Sequence, residues 1–227
     1  MPAELTQRPC AFRDGRDIRI LIADDHEMIR AGLRRIIERH EPWRICAEAA
    51  TGREAVELAK KFVPQVVILD LVMPELNGLE ATRQIKQCVP ITEVLIFSIH
   101  DSMDLIRQAT EAGALGYLPK SDISKHVEDA VAALVEHNVY FFSSFVRAML
   151  DVFLRDSGPT KIDPLTSRER EVIQLLTEGH SNKSAAQRLS ISQKTVETHR
   201  QVIMDKLGIH SMAHLVRYAV RNRIIVP

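Results

Sequence analysis

The run IRILIADDHEMIRAGLRRIIERH, residues 18–40, decides the fold class. Its first six residues, Ile18–Ala23, are almost wholly apolar, which suits a strand buried on both faces. Two aspartates end that run, and from Glu27 the apolar residues return near the helical period. A strand feeding straight into an amphipathic helix is half of a crossover unit, and the rest of the pattern repeats it. WRICAEA (43–49), VVILD (66–70), EVLIFS (93–98) and GYLPK (116–120) read as strands. GREAVELAKKF, GLEATRQIKQ, SMDLIRQATEAG and SKHVEDAVAALVEH read as the helices between and after them. Parallel neighbours need such crossovers, so the first half is expected to be a doubly wound α/β domain with a parallel sheet covered on both faces.

Further along, YFFSSFVRAMLDVFLRD (140–156) is expected to form a connecting helix, and SGPTKIDP (157–164), with two prolines and a glycine, a linker. Beyond the linker every segment reads as helical. Residues 1–17 show no hydrophobic period and are expected to be a mobile tail. The expected division is therefore a tail at 1–17, an α/β domain at 18–138, a connector at 139–164 and an all-α domain at 165–227.

The 227 residues suit two domains, and 45% hydrophobic with 26% charged residues is the balance of an ordinary globular protein. No apolar run reaches the roughly 18 residues of a membrane span, and the N-terminus lacks a signal-peptide core, so a cytoplasmic location is expected. Cys10, Cys46 and Cys88 are scattered without metal-ligand spacing and read as reduced thiols. The zero net charge conceals an asymmetry. Residues 159–227 carry 11 Lys and Arg against 6 Asp and Glu, and the remainder 19 against 24. Only the second half has the sign that suits nucleic acid.

Ligands of doubly wound folds gather at the carboxyl ends of the strands. Here the first strand ends in Asp24-Asp25, the third in Asp70, the fourth in Ser98 and the fifth near Lys120. Three carboxylates, a hydroxyl and an ammonium are thus expected on one edge. Oxygen ligands of this kind suit a small hard cation such as Mg²⁺, which would offset repulsion between carboxylates and an incoming phosphoryl group. One carboxylate is then left to attack phosphorus. Singly, each residue reads equally well as a turn former, a cap or a surface group. The combination carries the reading.

In the second half, Thr166 and Glu169 form a capping-box pattern at the start of a helix whose apolar face is Val172, Ile173, Leu175 and Leu176. Gly179 suits its end, and Ser181 suits the start of a second helix, Asn182–Leu189. The turn Ser190-Ile191-Ser192 leads to Gln193–Leu207, completing a helix-turn-helix pattern. On a helical wheel Val196, Ile203 and Leu207 share the core face of this last helix. Lys194, Glu197, Thr198, Gln201 and Asp205 lie opposite, where a DNA major groove would be read. Thr195, His199 and Lys206 flank that face, within reach of phosphates, and Arg200 falls near the core edge. The expected DNA contacts are Lys183, Ser192, Lys194, Thr195, Glu197, Thr198, His199, Gln201 and Lys206.

Residues 18 to about 138 resemble the receiver domain of two-component response regulators. The resemblance rests on Asp24-Asp25, Asp70-Leu71-Val72-Met73-Pro74 with Asn77-Gly78, Ser98, and GALGYLPK (113–120). It implies a five-stranded sheet of order 2-1-3-4-5 with Asp70 as phosphoacceptor. It also implies Mg²⁺ held by Asp25, Asp70 and the Val72 backbone carbonyl, Asp24 acting largely through water, and Lys120 on the phosphoryl oxygens. Ser98 and Tyr117 are implied to move together as a switch. One departure is Pro119-Lys120, where the proline more often follows the lysine; Lys120-Ser121 therefore has no proline to ease a cis bond. The stretch Leu165–Ile209 resembles the LuxR-type DNA-binding domain through LTSREREV, EGHSNK (178–183), LSISQKTVETHR and IMDKLGI. Together the two resemblances imply the NarL/FixJ subfamily, a sensor histidine kinase as donor, double-stranded promoter DNA as target and a phosphorylation-promoted homodimer. The receiver would assist only its own phosphorylation and dephosphorylation, so no enzyme in the usual sense is expected. An aspartate-nucleophile phosphohydrolase fits less well, because Asp70-Leu71-Val72 lacks a second aspartate two residues on. A DNA-binding protein regulated by a partner instead of by phosphate is the remaining alternative.

Overall fold

The computed structural model describes residues 17–99, 102–141, 165–222, 224 and 225. In the first domain β1 (Ile18–Ala23), α1 (Glu27–Ile37), β2 (Trp43–Ala49), α2 (Gly52–Phe62) and β3 (Val66–Asp70) alternate. They are followed by α3 (Gly78–Cys88), β4 (Glu93–Ser98), α4 (Met103–Ala112), β5 (Gly116–Pro119) and α5 (Ile123–Val135). The strands pair in parallel in the order β2-β1-β3-β4-β5. Alternate residues of β1 supply opposite cores, as the pleat requires. Leu21 and Ala23 pack with α2, α3 and α4, whereas Ile20 and Ile22 pack with α1 and α5.

Two details differ from the expectation. Tyr140–Phe141, expected to begin the connecting helix, forms a short strand β6 parallel to β5, with the Tyr140 N–H donating to the Leu115 carbonyl at 3.1 Å. An aromatic pair on an otherwise open sheet edge gains hydrogen bonds and cover at once. The remainder of the expected connecting helix and the linker lie outside the described residues, as does the tail before Asp17. Strand β5 ends at Pro119, and Lys120 opens a short 3-10 turn through Asp122.

The second domain contains α6 (Ser167–Thr177), α7 (Asn182–Arg188), α8 (Gln193–Leu207) and α9 (Met212–Arg221). The capping box is formed, since Thr166 Oγ1 accepts from the Glu169 N–H and the Glu169 carboxylate accepts from the Thr166 N–H. Gly179, at φ 92°, follows the C-cap of α6, a left-handed conformation that favours glycine. Ser181 and Ser192 cap α7 and α8. Val172, Ile173, Leu175, Ala185, Val196, Ile203, Leu215 and Ala219 form the shared core. Both residues of the small pair Ala185-Ala186 are buried in it. Among the described residues no helix is long and apolar enough to cross a membrane.

The loop between β3 and α3 is wedged tightly against its neighbours. A Cβ on Gly78 would lie 2.1 Å from the Asp70 carbonyl oxygen, and one on Gly52 would lie 1.9 Å from that of Leu76. These glycines let two helix N-termini close on the loop that follows the central strand. Gly78→Ala is expected to destabilise the domain by about 1–3 kcal/mol through overpacking, read as a lower urea midpoint at unchanged m-value. An unchanged midpoint would show that the backbone gives way without cost.

Candidate functional site

The sheet order brings the ends of β1, β3 and β5 together, and with them Asp24, Asp70 and Lys120. Asp24 and Asp70 are buried, while Asp25 stands at the rim. Lys120 Nζ lies 2.6 Å from Asp24 Oδ2 and 2.8 Å from Asp70 Oδ2, bridging the two buried carboxylates. Its side chain is 9% exposed, and Nζ lies 5.8 Å from the centre of the Phe97 ring. Carboxylate oxygens of Asp24, Asp25 and Asp70 lie within 4.8 Å of one another. That is a compact set of hard oxygen donors, and it fits a small divalent cation.

His26 belongs to the same cluster and was not singled out from the sequence. Its Nδ1 sits 2.7 Å from Asp25 Oδ1 and 3.3 Å from Asp24 Oδ1, and its N–H donates to Asp24 Oδ1 at 2.9 Å. Arg30, one helical turn on, donates to the Asp24 carbonyl. The spacing Asp24-Asp25-His26 at a strand end was the available signal. Ser98, 1% exposed, closes β4 beside the pocket, and Tyr117 is buried within the α2–α3–α4 core. The residue is therefore wholly inside. The Lys120–Ser121 bond is trans; among the described residues the cis peptide is Glu41–Pro42.

Burial dominates the electrostatics of Asp70. It pushes the carboxyl up to about 6, against the opposing pull of Lys120, with the Asp24 charge adding to the rise. Lys120 moves upward from the ordinary lysine value: its own burial opposes the shift, but the close negative charges of Asp70 and Asp24 outweigh it. Between the ordinary carboxylate range and about pH 6, folded Asp70 keeps a proton that the unfolded chain has lost. Stability from this group is therefore fully present at low pH and is lost as pH rises through that window. In chelator-containing buffer, Asp70→Asn is expected to gain on the order of 2–3 kcal/mol relative to wild type between pH 4 and 7, by urea unfolding. Parallel stability curves would contradict a desolvated Asp70.

The second candidate surface is the outer face of α8. Lys194, Glu197, Thr198, Gln201 and Asp205 are all exposed, whereas Val196 and Ile203 are fully buried and Leu207 partly so. Thr195, His199 and Arg200 are half-buried along its edges, and Lys183 is exposed in the first turn of α7. Within the face, Gln193 pairs with Glu197 and Gln201 with Asp205, each one turn apart. Ser192 Oγ accepts from the Thr195 N–H at 3.0 Å, so this hydroxyl starts the helix. Lys206 stands apart from the others. Its Nζ lies 2.8 Å from both carboxylate oxygens of the buried Glu169, tying α8 to α6. Burial works to raise the Glu169 carboxyl, but Lys206 and the Thr166 donors hold it below its ordinary value.

Comparison with known proteins identifies both domains. Residues 20–132 match the model of the response regulator receiver domain, and residues 163–219 that of the bacterial regulatory proteins of the luxR family. The transcriptional regulatory protein MctR of Rhizobium johnstonii is 32% identical over 221 residues, covering 97% of this chain and 98% of that protein. The transcriptional regulatory protein LiaR of Bacillus subtilis is 35% identical, covering 92% and 99%. A solved LuxR-family two-component response regulator from Aurantimonas is 34% identical over 60% of this chain and 96% of that one, with a TM-score of 0.56. The chain belongs to the two-component response regulators of the NarL/FixJ subfamily, transcriptional regulators that join a receiver to a LuxR-type DNA-binding domain.

Proposed function

We propose that Asp70 accepts a phosphoryl group from a sensor histidine kinase and that this modification controls promoter binding by the C-terminal domain. The observation that carries the reading is the buried Asp70 carboxylate, bridged by Lys120 to Asp24 at the end of the central strands. A carboxylate oxygen of Asp70 attacks phosphorus, and the bond from phosphorus to the donor nitrogen breaks, leaving an acyl phosphate and a free imidazole. Lys120 holds the phosphoryl oxygens as charge builds on them. Asp25, Asp70 and the Val72 carbonyl would hold Mg²⁺, with Asp24 acting through water. Bound there, the cation supplies neutralising charge between the carboxylates and the phosphoryl group.

The phosphoryl group adds negative charge and acceptor oxygens that a hydroxyl can bond. Ser98, at the neighbouring strand end, turns toward them, and the Tyr117 ring shifts into the space released. That paired movement alters the surface of α4, β5 and α5, and homodimers form on phosphorylation. Two-fold dimers then present α8 to successive major grooves of promoter DNA, with Lys194, Glu197, Thr198 and Gln201 facing the bases and Lys183, Thr195 and His199 the backbone. Ser192 serves through its cap, and Lys206 through Glu169. A cytoplasmic location goes with this reading.

Incubation with Mg²⁺ and acetyl phosphate is expected to add one phosphoryl mass to the wild-type chain and none to Asp70→Asn, by intact mass spectrometry. No adduct from this donor or from a histidine kinase would favour regulation by a bound partner instead. On DNA, Lys194→Ala and Gln201→Ala are each expected to weaken promoter binding by about 5- to 100-fold, by fluorescence anisotropy, at unchanged Tm. Lys206→Ala is expected to lower the Tm. Wild-type affinity in the first two variants would move the reading face elsewhere.

A further inference from the structure

The exposed face of α8 carries two carboxylates on the surface proposed to meet DNA, itself a polyanion. Among the described residues neither Glu197 nor Asp205 has an ion-pair partner, although Lys194 lies three residues before Glu197 on the same face. Each accepts instead from a glutamine four positions earlier. Gln193 Nε2 donates to Glu197 Oε1 at 3.0 Å, and Gln201 Nε2 donates to Asp205 Oδ1 at 2.9 Å. A neutral amide leaves the charge of a carboxylate in place. Asp205 also sits in the last turn of α8, where the helix dipole disfavours an anion. Exposed polar pairs at this spacing stabilise a helix only weakly. Helix stability therefore does not account for two uncompensated carboxylates on this face.

The groups already engaged decide what the face presents. A carboxylate only accepts, so the Gln193 and Gln201 amides turn their nitrogens toward Glu197 and Asp205 and their oxygens away. Glu197 keeps its second carboxylate oxygen as an acceptor. Thr198 donates its hydroxyl to the Lys194 carbonyl at 3.0 Å, so it brings a methyl and lone pairs but no donor. Gln201 keeps one amide hydrogen and its Oε1, a donor and an acceptor on one planar group. In the major groove cytosine offers the N4 amino donor, whereas guanine offers acceptors at N7 and O6 and thymine an acceptor at O4. A carboxylate is therefore attracted to cytosine and repelled by guanine and thymine. Adenine sets an N6 donor beside the N7 acceptor, which a carboxylate meets only in part and the Gln201 amide meets in full. Four residues of helix rise about 6 Å and base pairs stack about 3.4 Å apart, so the two contacts fall within about two base pairs of each other.

We propose that Glu197 and Gln201 determine the base sequence that α8 reads: Glu197 selects cytosine through its N4 amino group, and Gln201 selects adenine within about two base pairs of it. The inference rests on α8 as the reading helix. The full-length chain, with and without Mg²⁺ and acetyl phosphate, would select duplexes from a randomised pool. Affinities for the selected duplex and its single-pair variants would then be measured by anisotropy. Wild type is expected to select a cytosine and an adenine at that spacing in each half-site, each favoured by about fivefold or more over the other bases. Glu197→Ala is expected to lose the preference at the cytosine alone. Glu197→Gln is expected to exchange it for adenine, because the amide adds a donor for N7. Gln201→Ala is expected to lose the preference at the adenine alone. All three keep the wild-type Tm, since both side chains are exposed. Unchanged base preferences in both Glu197 variants, weakening spread equally over all four bases, or a preference lost at a base other than cytosine overturns the assignment alone. No preferred sequence for wild type in either condition overturns α8 as the reading helix, and the assignment with it.

Discussion

The site depends on the price of holding two carboxylates out of water a few ångströms apart. Asp24 and Asp70 are buried at adjacent strand ends, and Lys120 bridges both of them. Desolvation still prevails at Asp70, whose carboxyl is driven up to about 6. Such a group is costly to stability and chemically poised, a combination found where structure is kept for function. The sheet makes it possible. The order β2-β1-β3-β4-β5 sets the ends of β1 and β4 on either side of β3, with β5 next in line to deliver Lys120.

From that centre the structure extends outward through one loop. Gly78 and Gly52 let two helix N-termini press on the segment after Asp70, so its backbone has little room. Its polar groups are then satisfied from the second domain by Gln174 and Glu178. A chemical event at the strand end and the placement of a helical domain therefore meet within seven residues, 71 to 77. Among the described residues the ion pairs Arg188–Glu75, Arg53–Glu171 and Arg170–Glu80 and the Gln84–Glu171 hydrogen bond add to this contact.

Much of this was legible in the sequence because it follows from local pattern. The strand-helix alternation gave the parallel sheet, and the acidic pair, Asp70, Ser98 and Lys120 fell at strand ends by simple register. Thr166 and Glu169 announced their capping box, and the wheel of α8 separated Val196 and Ile203 from Lys194, Glu197, Thr198 and Gln201. What was not legible depends on distant partners. Tyr140 and Phe141 carry helix-compatible and strand-compatible signals alike, and the open edge of β5 decides between them. The ion pair of Lys206 with Glu169, 37 positions away, had no local signal either. Gln174 reads as an ordinary polar residue on an amphipathic helix, because its partners at 73 and 77 lie in another domain. His26 escaped notice for a different reason, as one more polar residue at a strand end.

The central claim, that charge chemistry at Asp70 governs the DNA-binding domain, is tested most directly on DNA. Promoter affinity would be measured by anisotropy for the full chain with and without Mg²⁺ and acetyl phosphate, alongside Asp70→Asn. The account predicts that the phosphodonor changes the affinity of the wild type and leaves Asp70→Asn unmoved. The same affinity for wild type in both conditions, with the adduct on Asp70 present, would contradict it.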